Sequence, residues 1–155
     1  MLPISQGGAP SNGQQVNTPV FEILEHPADI GFRAFGRSLA ELFEHAAVAL
    51  VSIAGEPADV EARQQYELDA AGEDCESLLV AWLSEVLYWF DGKRITFCRF
   101  HINWMDSCHL RAAAYGEPRN SVRHRAKTIV KAVTWHQLKI SQAGSGWLAE
   151  VYLDV

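Results

Sequence analysis

The spacing of apolar residues changes from a helical period to a strand period in the second half of this chain, and the change restricts the fold to a mixture of helices and strands. Between residues 39 and 90, apolar side chains recur every three or four positions in two stretches, which predicts two amphipathic helices. After residue 97, apolar and polar side chains alternate as in half-buried strands. Two further strand-like runs, Val20–Leu24 and Phe32–Phe35, precede the helices. We therefore predict a mixed α+β domain, in which a mostly antiparallel or mixed sheet packs against two helices.

Both predicted helices carry recognisable start and stop signals. Ser38–Glu41 has the S-x-x-E form of a capping box, in which the Ser and Glu side chains satisfy free main-chain N–H groups. Gly55 can end the first helix, Asp74 can cap the second, and Asp91-Gly92 can end it. The apolar stripes, which we expect to be buried, are Leu39, Leu42, Phe43, Ala46, Ala47 and Leu50 in the first helix and Leu79, Trp82, Leu83, Val86, Leu87 and Phe90 in the second.

The second half of the chain predicts an antiparallel hairpin, a long strand and a closing strand. The alternating residues 98–104 and the run Cys108–Tyr115 form the hairpin, and Thr128–Ile140 forms the long strand. The inward side chains of the first hairpin strand would be Cys98, Phe100, Ile102 and Trp104. In the closing strand, Trp147, Ala149, Val151, Leu153 and Val155 would face the core, and Glu150, Tyr152 and Asp154 would face away.

Length and composition favour one domain preceded by a tail. A chain of 155 residues with 48% hydrophobic residues can bury one sizeable core, which we place in residues 19–155. Residues 1–18 are rich in Gly, Gln, Ser, Asn and Pro without an apolar period, so we expect a flexible N-terminal tail there.

Charge and cysteine content restrict the environment and the partners. The chain has 13 Lys+Arg against 19 Asp+Glu, which disfavours nucleic-acid binding over the whole surface and leaves only local or indirect contact with RNA. Three cysteines without a Cys-x-x-Cys spacing favour a reducing compartment. No apolar run approaches the ~18 residues of a membrane span, and no signal peptide is visible. We expect a cytoplasmic protein.

Asp29 stands in a short turn, His26–Gly31, between the first two strand-like runs. Its carboxylate can reach outward, or it can fold back onto local N–H groups as an Asx-type turn, and the turn alone leaves both open. At the other end of the chain, Asp154 offers a carboxylate beside the main-chain carboxylate of Val155. Two or three oxygen ligands brought to one place suit Ca²⁺ or Mg²⁺ better than zinc.

Cations are concentrated after the turn Gly116–Pro118. The cluster consists of Arg119, Arg123, His124, Arg125 and Lys127. Such a cluster is either a solvated face or a site for a partner or a phosphate group. Lys131 follows, between Ile129 and Val133, where a lysine either extends past its apolar neighbours or is held to meet an anion.

Four separated motifs stand out along the chain: Phe21–Gly31, then Gly72–Asp74 leading into Leu79–Leu83, then Gly116–Pro118 with Arg123-His124 and Lys127–Thr134, and finally Asp154-Val155. These motifs resemble those of the archease family, the protein cofactors of RtcB-type RNA ligases. They occur in the family's order, and the resemblance covers residues 19–155.

The resemblance implies a compact mixed α/β domain with a divalent-metal site formed by Asp29, Asp154 and an oxygen of Val155. Ca²⁺ is the expected ion, with Mg²⁺ or Mn²⁺ as alternatives. The family does not itself ligate RNA. It helps an RtcB-type ligase to become guanylylated and to turn over repeatedly in tRNA splicing or RNA repair. Lys131 matches a position needed for that activation, and candidate partner contacts are Arg123, His124 and Lys127.

Two other functions stay open at this stage. One is a chaperone-like adaptor for another RNA-modifying enzyme, such as a tRNA methyltransferase, with a purely structural metal. The other is a metal-dependent hydrolase, which is weakened because no pair of nucleophile and base can be named.

Overall fold

Two antiparallel sheets and two helices make up the part of the chain that the computed structural model describes, residues 20–25 and 29–155. The predicted tail, residues 1–18, and the turn residues His26, Pro27 and Ala28 lie outside the described residues. In chain order the elements are β1 (Phe21–Glu25), β2 (Ile30–Gly36), α1 (Leu39–Ala54), β3 (Gln64–Ala71), α2 (Cys75–Asp91), β4 (Ile95–Met105), β5 (His109–Pro118), β6 (Ala132–Ala143) and β7 (Gly146–Asp154). A 3₁₀ turn, Pro57–Asp59, lies between α1 and β3.

The four-stranded sheet joins strands from the two ends of the described chain, whereas the three-stranded sheet joins strands from its middle. One sheet has the order β1-β2-β7-β6, so that the last strand of the chain inserts between β2 and β6. The other has the order β3-β5-β4. Each helix packs against strands of both sheets, α1 against β2 and β4, and α2 against β3 and β6. The mixed α+β prediction is confirmed.

The helices begin and bury the faces that the sequence predicts. Ser38 caps α1 by accepting a hydrogen bond from the N–H of Glu41, but Glu41 itself accepts from the N–H of Arg37 at 2.7 Å and not from that of Ser38. Asp74 and Ser77 form a reciprocal capping box at the start of α2. All the stripe residues of both helices are buried except Leu39, which is half-buried. Trp82 donates its indole N–H to the main-chain oxygen of Phe43 at 2.9 Å, which ties α2 to α1.

Trp104 was expected to face the core with Phe100 and Ile102, and this prediction is wrong. Phe100 and Ile102 are buried, whereas Trp104 is 53% exposed. The register of β4 against β5 shifts between Ile102 and Trp104, and an extra residue in one strand moves every later side chain to the opposite face.

The long strand starts four residues later than predicted, at Ala132 instead of Thr128. Residues 119–131 form no helix or strand, and we call them the cationic segment. Their N–H groups bond outside any sheet ladder: His124 donates to Asn120 at 2.7 Å and Lys127 donates to Ala54 at the end of α1 at 2.9 Å. β-Branched residues at 128–130 predicted a strand, but the bond from Lys127 ties the chain directly before them to the end of α1.

Tyr152 is only 5% exposed, although it lies on the face of β7 turned away from the core. Its cross-strand partner is Gly31, and a Cβ at that position would lie 2.6 Å from the Tyr152 ring. On the other side the ring meets the edge of His136, with 6.1 Å between centroids. Gly31 is therefore required by close packing against an aromatic ring.

No helix in the described ranges is long and apolar enough to cross a bilayer.

Candidate functional site

Strand register brings three of the predicted site residues to one corner of the four-stranded sheet. Ile30 at the start of β2 pairs with Leu153, and Ala132 at the start of β6 pairs with Asp154. Asp29 and Lys131 directly precede these two strands, so both lie beside the end of β7. The N–H of Lys131 donates to the main-chain oxygen of Asp154 at 2.7 Å. We call this place the carboxylate corner.

The two carboxylate residues stand next to each other at one end of the sheet. Asp154 is the last residue of β7, and Leu153 before it pairs with Ile30, the first residue of β2. Asp29 directly precedes Ile30, so the register brings its main chain beside Asp154, although 125 positions separate the two residues in the sequence.

The charged groups of the carboxylate corner are not engaged by other described residues. Asp154 and Lys131 are exposed and Asp29 is half-buried. Within residues 20–25 and 29–155, none of these three side chains makes a hydrogen bond or an ion pair. In particular, the Asx-type bond that was left open for Asp29 is not formed with any N–H of the described residues. No described residue therefore neutralises these three charges.

Lys131 also lines an open groove of about 440 Å³. Leu87, Tyr88 and Asp91 of α2 form one side of the groove, and Lys131 and Val133 form the other. Tyr88 is 56% exposed there. The main chain of Lys131 is bonded to Asp154, and its side chain borders a space that a group of another molecule can enter.

Glu117 was not singled out by sequence reasoning, yet it holds the first half of the cationic segment. It is 2% exposed and accepts hydrogen bonds from Arg123 at 2.9 Å and from the N–H of Glu61 at 2.8 Å. Arg63 lies 3.1 Å from its other oxygen. The hydrogen bond from Arg123, followed by that from Glu61, lowers the pKa of Glu117 to about 2. A signal was available, because Glu117 is the acid closest in sequence to the cation cluster.

His124 is buried against the same carboxylate. Its Nδ1 accepts a hydrogen bond from the N–H of Asn120 at 2.8 Å, so the ring proton sits on Nε2, which donates to Glu117 at 2.9 Å. Of the candidate partner contacts, Arg123 and His124 are therefore bound within the chain. Lys127 lies at the surface, 3.5 Å from a carboxylate oxygen of Glu56. A direct role of the three in partner contact stays a prediction.

Comparison with known proteins identifies the family. The profile of the Archease protein family matches residues 21–155. The chain belongs to the archease family. The protein archease of Sulfurisphaera tokodaii is 36% identical over 136 residues, which are 87% of this chain and 98% of that protein. The family predicted from the four motifs is confirmed.

Solved archease structures agree with the fold. A solution structure of protein 1598 of Methanobacterium thermoautotrophicum is 34% identical and superimposes with a TM-score of 0.73, covering 88% of this chain and 99% of that one. A crystal structure of an archease from Thermotoga maritima, described there as a possible chaperone, gives a TM-score of 0.62 at 22% identity, covering 85% of this chain and 94% of that one. Because the identity is only 22%, the Thermotoga maritima structure supports the fold alone.

The oxygen atoms that the carboxylate corner offers as ligands suit a hard cation. The corner offers two carboxylates and, next to Asp154, the main-chain oxygen of Val155, and all of these are oxygen ligands. Among the described residues there is no cluster of three or more His, Cys, Asp and Glu side chains that could hold a metal ion. A cation here would therefore complete its coordination with main-chain oxygens, water or groups of a partner.

Proposed function

We propose that this archease is an accessory protein, not itself an enzyme, that activates an RtcB-type RNA ligase. In this role it promotes guanylylation and repeated turnover of the ligase in tRNA splicing or RNA repair. The observation that carries the proposal is the carboxylate corner, where Asp29, Asp154 and Lys131 converge with charges that no described residue engages. Exposed charges of both signs at one fixed place suit a surface that works on another molecule.

A divalent cation would be held by Asp29, Asp154 and a main-chain oxygen of Val155. Ca²⁺ is the expected ion, and Mg²⁺ and Mn²⁺ are the alternatives. The oxygen-only character of these ligands is what supports this assignment. When bound, the cation supplies fixed positive charge that can attract a phosphate or carboxylate group. The chain determines where the cation would lie. Asp154 is held in the central strand β7, and Asp29 directly precedes β2, the strand beside β7.

Lys131 is the residue through which the protein would act on its partner. Its N–H bond to Asp154 fixes the main chain, and its ammonium borders the open groove beside Tyr88. An ammonium in this position can meet a phosphate of the RNA or nucleotide, or a carboxylate of the ligase. Activation then consists of positioning groups of the partner, which is a recognised source of rate acceleration.

The test is a reconstituted ligation assay with a cognate RtcB-type ligase, GTP and a broken RNA. Wild type should raise the multiple-turnover rate, whereas Lys131→Met, which keeps the aliphatic stem and removes the charge, should not. Lys139→Met is the matched control, because Lys139 is an exposed lysine on β6 away from the corner. Full stimulation by Lys131→Met would remove this residue from the mechanism.

The adaptor function leads to a different outcome of the same assay. If wild type stimulates none of the cognate ligases, the adaptor function is favoured. The protein would then serve another RNA-modifying enzyme, for example a tRNA methyltransferase, and its cation would have a structural role.

A further inference from the structure

The cationic segment contrasts in charge with the rest of the chain. The whole chain has 13 Lys+Arg and a net charge of −6. Residues 119–131 contain five of these cations and no Asp or Glu, namely Arg119, Arg123, Arg125, Lys127 and Lys131. The segment is thus a positive strip on an acidic protein, and it ends at the carboxylate corner.

The two halves of the segment use their charges differently. Arg119 donates to the main-chain oxygen of Phe90 at 3.0 Å, and Arg123 binds the buried Glu117. In the second half, Lys127 has only an exposed neighbour at 3.5 Å, and Lys131 forms no ion pair with a described residue. The cations that no buried group engages are therefore Arg125, which is exposed, together with Lys127 and Lys131.

Ile129 stands between these two lysines and is 76% exposed, whereas the next residue, Val130, is 2% exposed. One exposed aliphatic side chain is ordinary on a protein surface. This one is carried by a main chain that is fixed on both sides, by the bond from Lys127 to Ala54 and by the bond from Lys131 to Asp154. A side chain displayed on a fixed main chain loses little further freedom when a partner covers it.

We infer that residues 127–131 dock on an acidic surface of the partner enzyme, with Ile129 entering an apolar pocket and Lys127 and Lys131 facing carboxylates around it. The inference rests on the proposed function and names the surface that the function uses. An apolar anchor ringed by charges is the usual anatomy of a protein–protein contact. A nucleic acid is the less suitable occupant, because the central side chain is aliphatic and offers no ring on which a base can stack.

The experiment measures the affinity of the full-length chain for its cognate ligase by calorimetry. Ile129→Ala should weaken binding about tenfold or more, as truncation of a central anchor does. Ile23→Ala is the matched control, since Ile23 is 46% exposed on β1, the opposite edge strand of the four-stranded sheet, and it should leave the affinity unchanged. Binding should also weaken as salt rises, because lysine–carboxylate pairs at the rim are screened.

The outcomes separate this inference from the proposed function. If wild type stimulates the ligase and Ile129→Ala binds as tightly as wild type, the inference is overturned and the proposed function stands. If the chain binds labelled single-stranded RNA with an affinity that falls on Lys127→Met or Lys131→Met but not on Ile129→Ala, the strip is an RNA site and the inference is also overturned. A ligase that wild type neither binds nor stimulates overturns both.

Discussion

Lys131 donates its main-chain N–H to the main-chain oxygen of Asp154, and this bond of 2.7 Å joins the cationic segment to the end of the last strand. Ala132, the next residue, is the cross-strand partner of Asp154, so the bond lies directly before the point where β6 and β7 begin to pair. It places the residue proposed to act on the partner next to a residue proposed to hold the cation. The bond fixes the two main-chain positions relative to each other, and the two side chains extend from these positions.

Gly31→Ala should destabilise the protein and weaken cation binding. The added Cβ would lie 2.6 Å from the ring of Tyr152, and such overpacking in a filled space costs about 1–3 kcal/mol. The displacement should reach Asp29, which is two residues away in the sequence and directly precedes β2. Urea denaturation and Ca²⁺ calorimetry would measure the two effects.

Gly55→Ala is the control for this prediction. A Cβ at Gly55 would come no closer than 3.6 Å to another atom, and its backbone φ of −158° suits any residue. It should therefore change stability much less. Equal losses for Gly31→Ala and Gly55→Ala would show that close packing against Tyr152 does not matter.

Acid should destabilise the fold through Glu117. Its pKa is lowered from 4.5 to about 2, mainly by the hydrogen bond from Arg123. Between these values the unfolded chain binds a proton at this site and the folded chain does not, so stability rises with pH there. The stabilisation is complete above the unfolded pKa of 4.5 and is lost as pH falls through the folded pKa near 2.

Urea midpoints measured from pH 2 to pH 6 would test this for wild type and Glu117→Gln. Above the ordinary glutamate pKa, the variant should be the less stable protein, because it cannot form charged bonds with Arg123 and Arg63. The difference in urea midpoint between wild type and Glu117→Gln should become smaller as pH falls. Glu67→Gln, at an exposed position on β3, is the control and should follow wild type. A difference that stays constant down to the lowest pH would contradict the lowered pKa.

The sequence predicted elements that depend on local pattern, and it missed features that depend on distant contacts. The helix stripes were visible because their burial follows a fixed period, and Asp74 was recognisable as a cap from its place before the stripe. The position of Trp104 was missed, since an alternation rule cannot anticipate the register shift after Ile102.

The candidate site was visible from the sequence only in part. Asp29 could be named because it stands in a turn between two strand-like runs, and Asp154 because it stands near the end of the closing strand. That the two residues are neighbours follows from the pairing of β2 with β7, which joins opposite ends of the chain and leaves no local signal. Only the end of the cationic segment, residues 128–131, was predicted as strand, and the bond from Lys127 to Ala54 directly before it leaves no local signal. Glu117 could have been suspected as a partner of these cations from its place in the sequence, but its burial is known only from the structure.

The most direct test of the account asks whether Asp29 and Asp154 form one cation site. Ca²⁺ would be titrated by calorimetry into wild type, Asp29→Ala, Asp154→Ala and the control Asp69→Ala, whose carboxylate is 75% exposed on β3 in the other sheet. The account predicts binding by wild type and Asp69→Ala, and affinity at least about tenfold weaker in each of the other two variants, because each removes one of a few oxygen ligands. Wild-type affinity in Asp29→Ala or Asp154→Ala, or no binding by wild type, would contradict it.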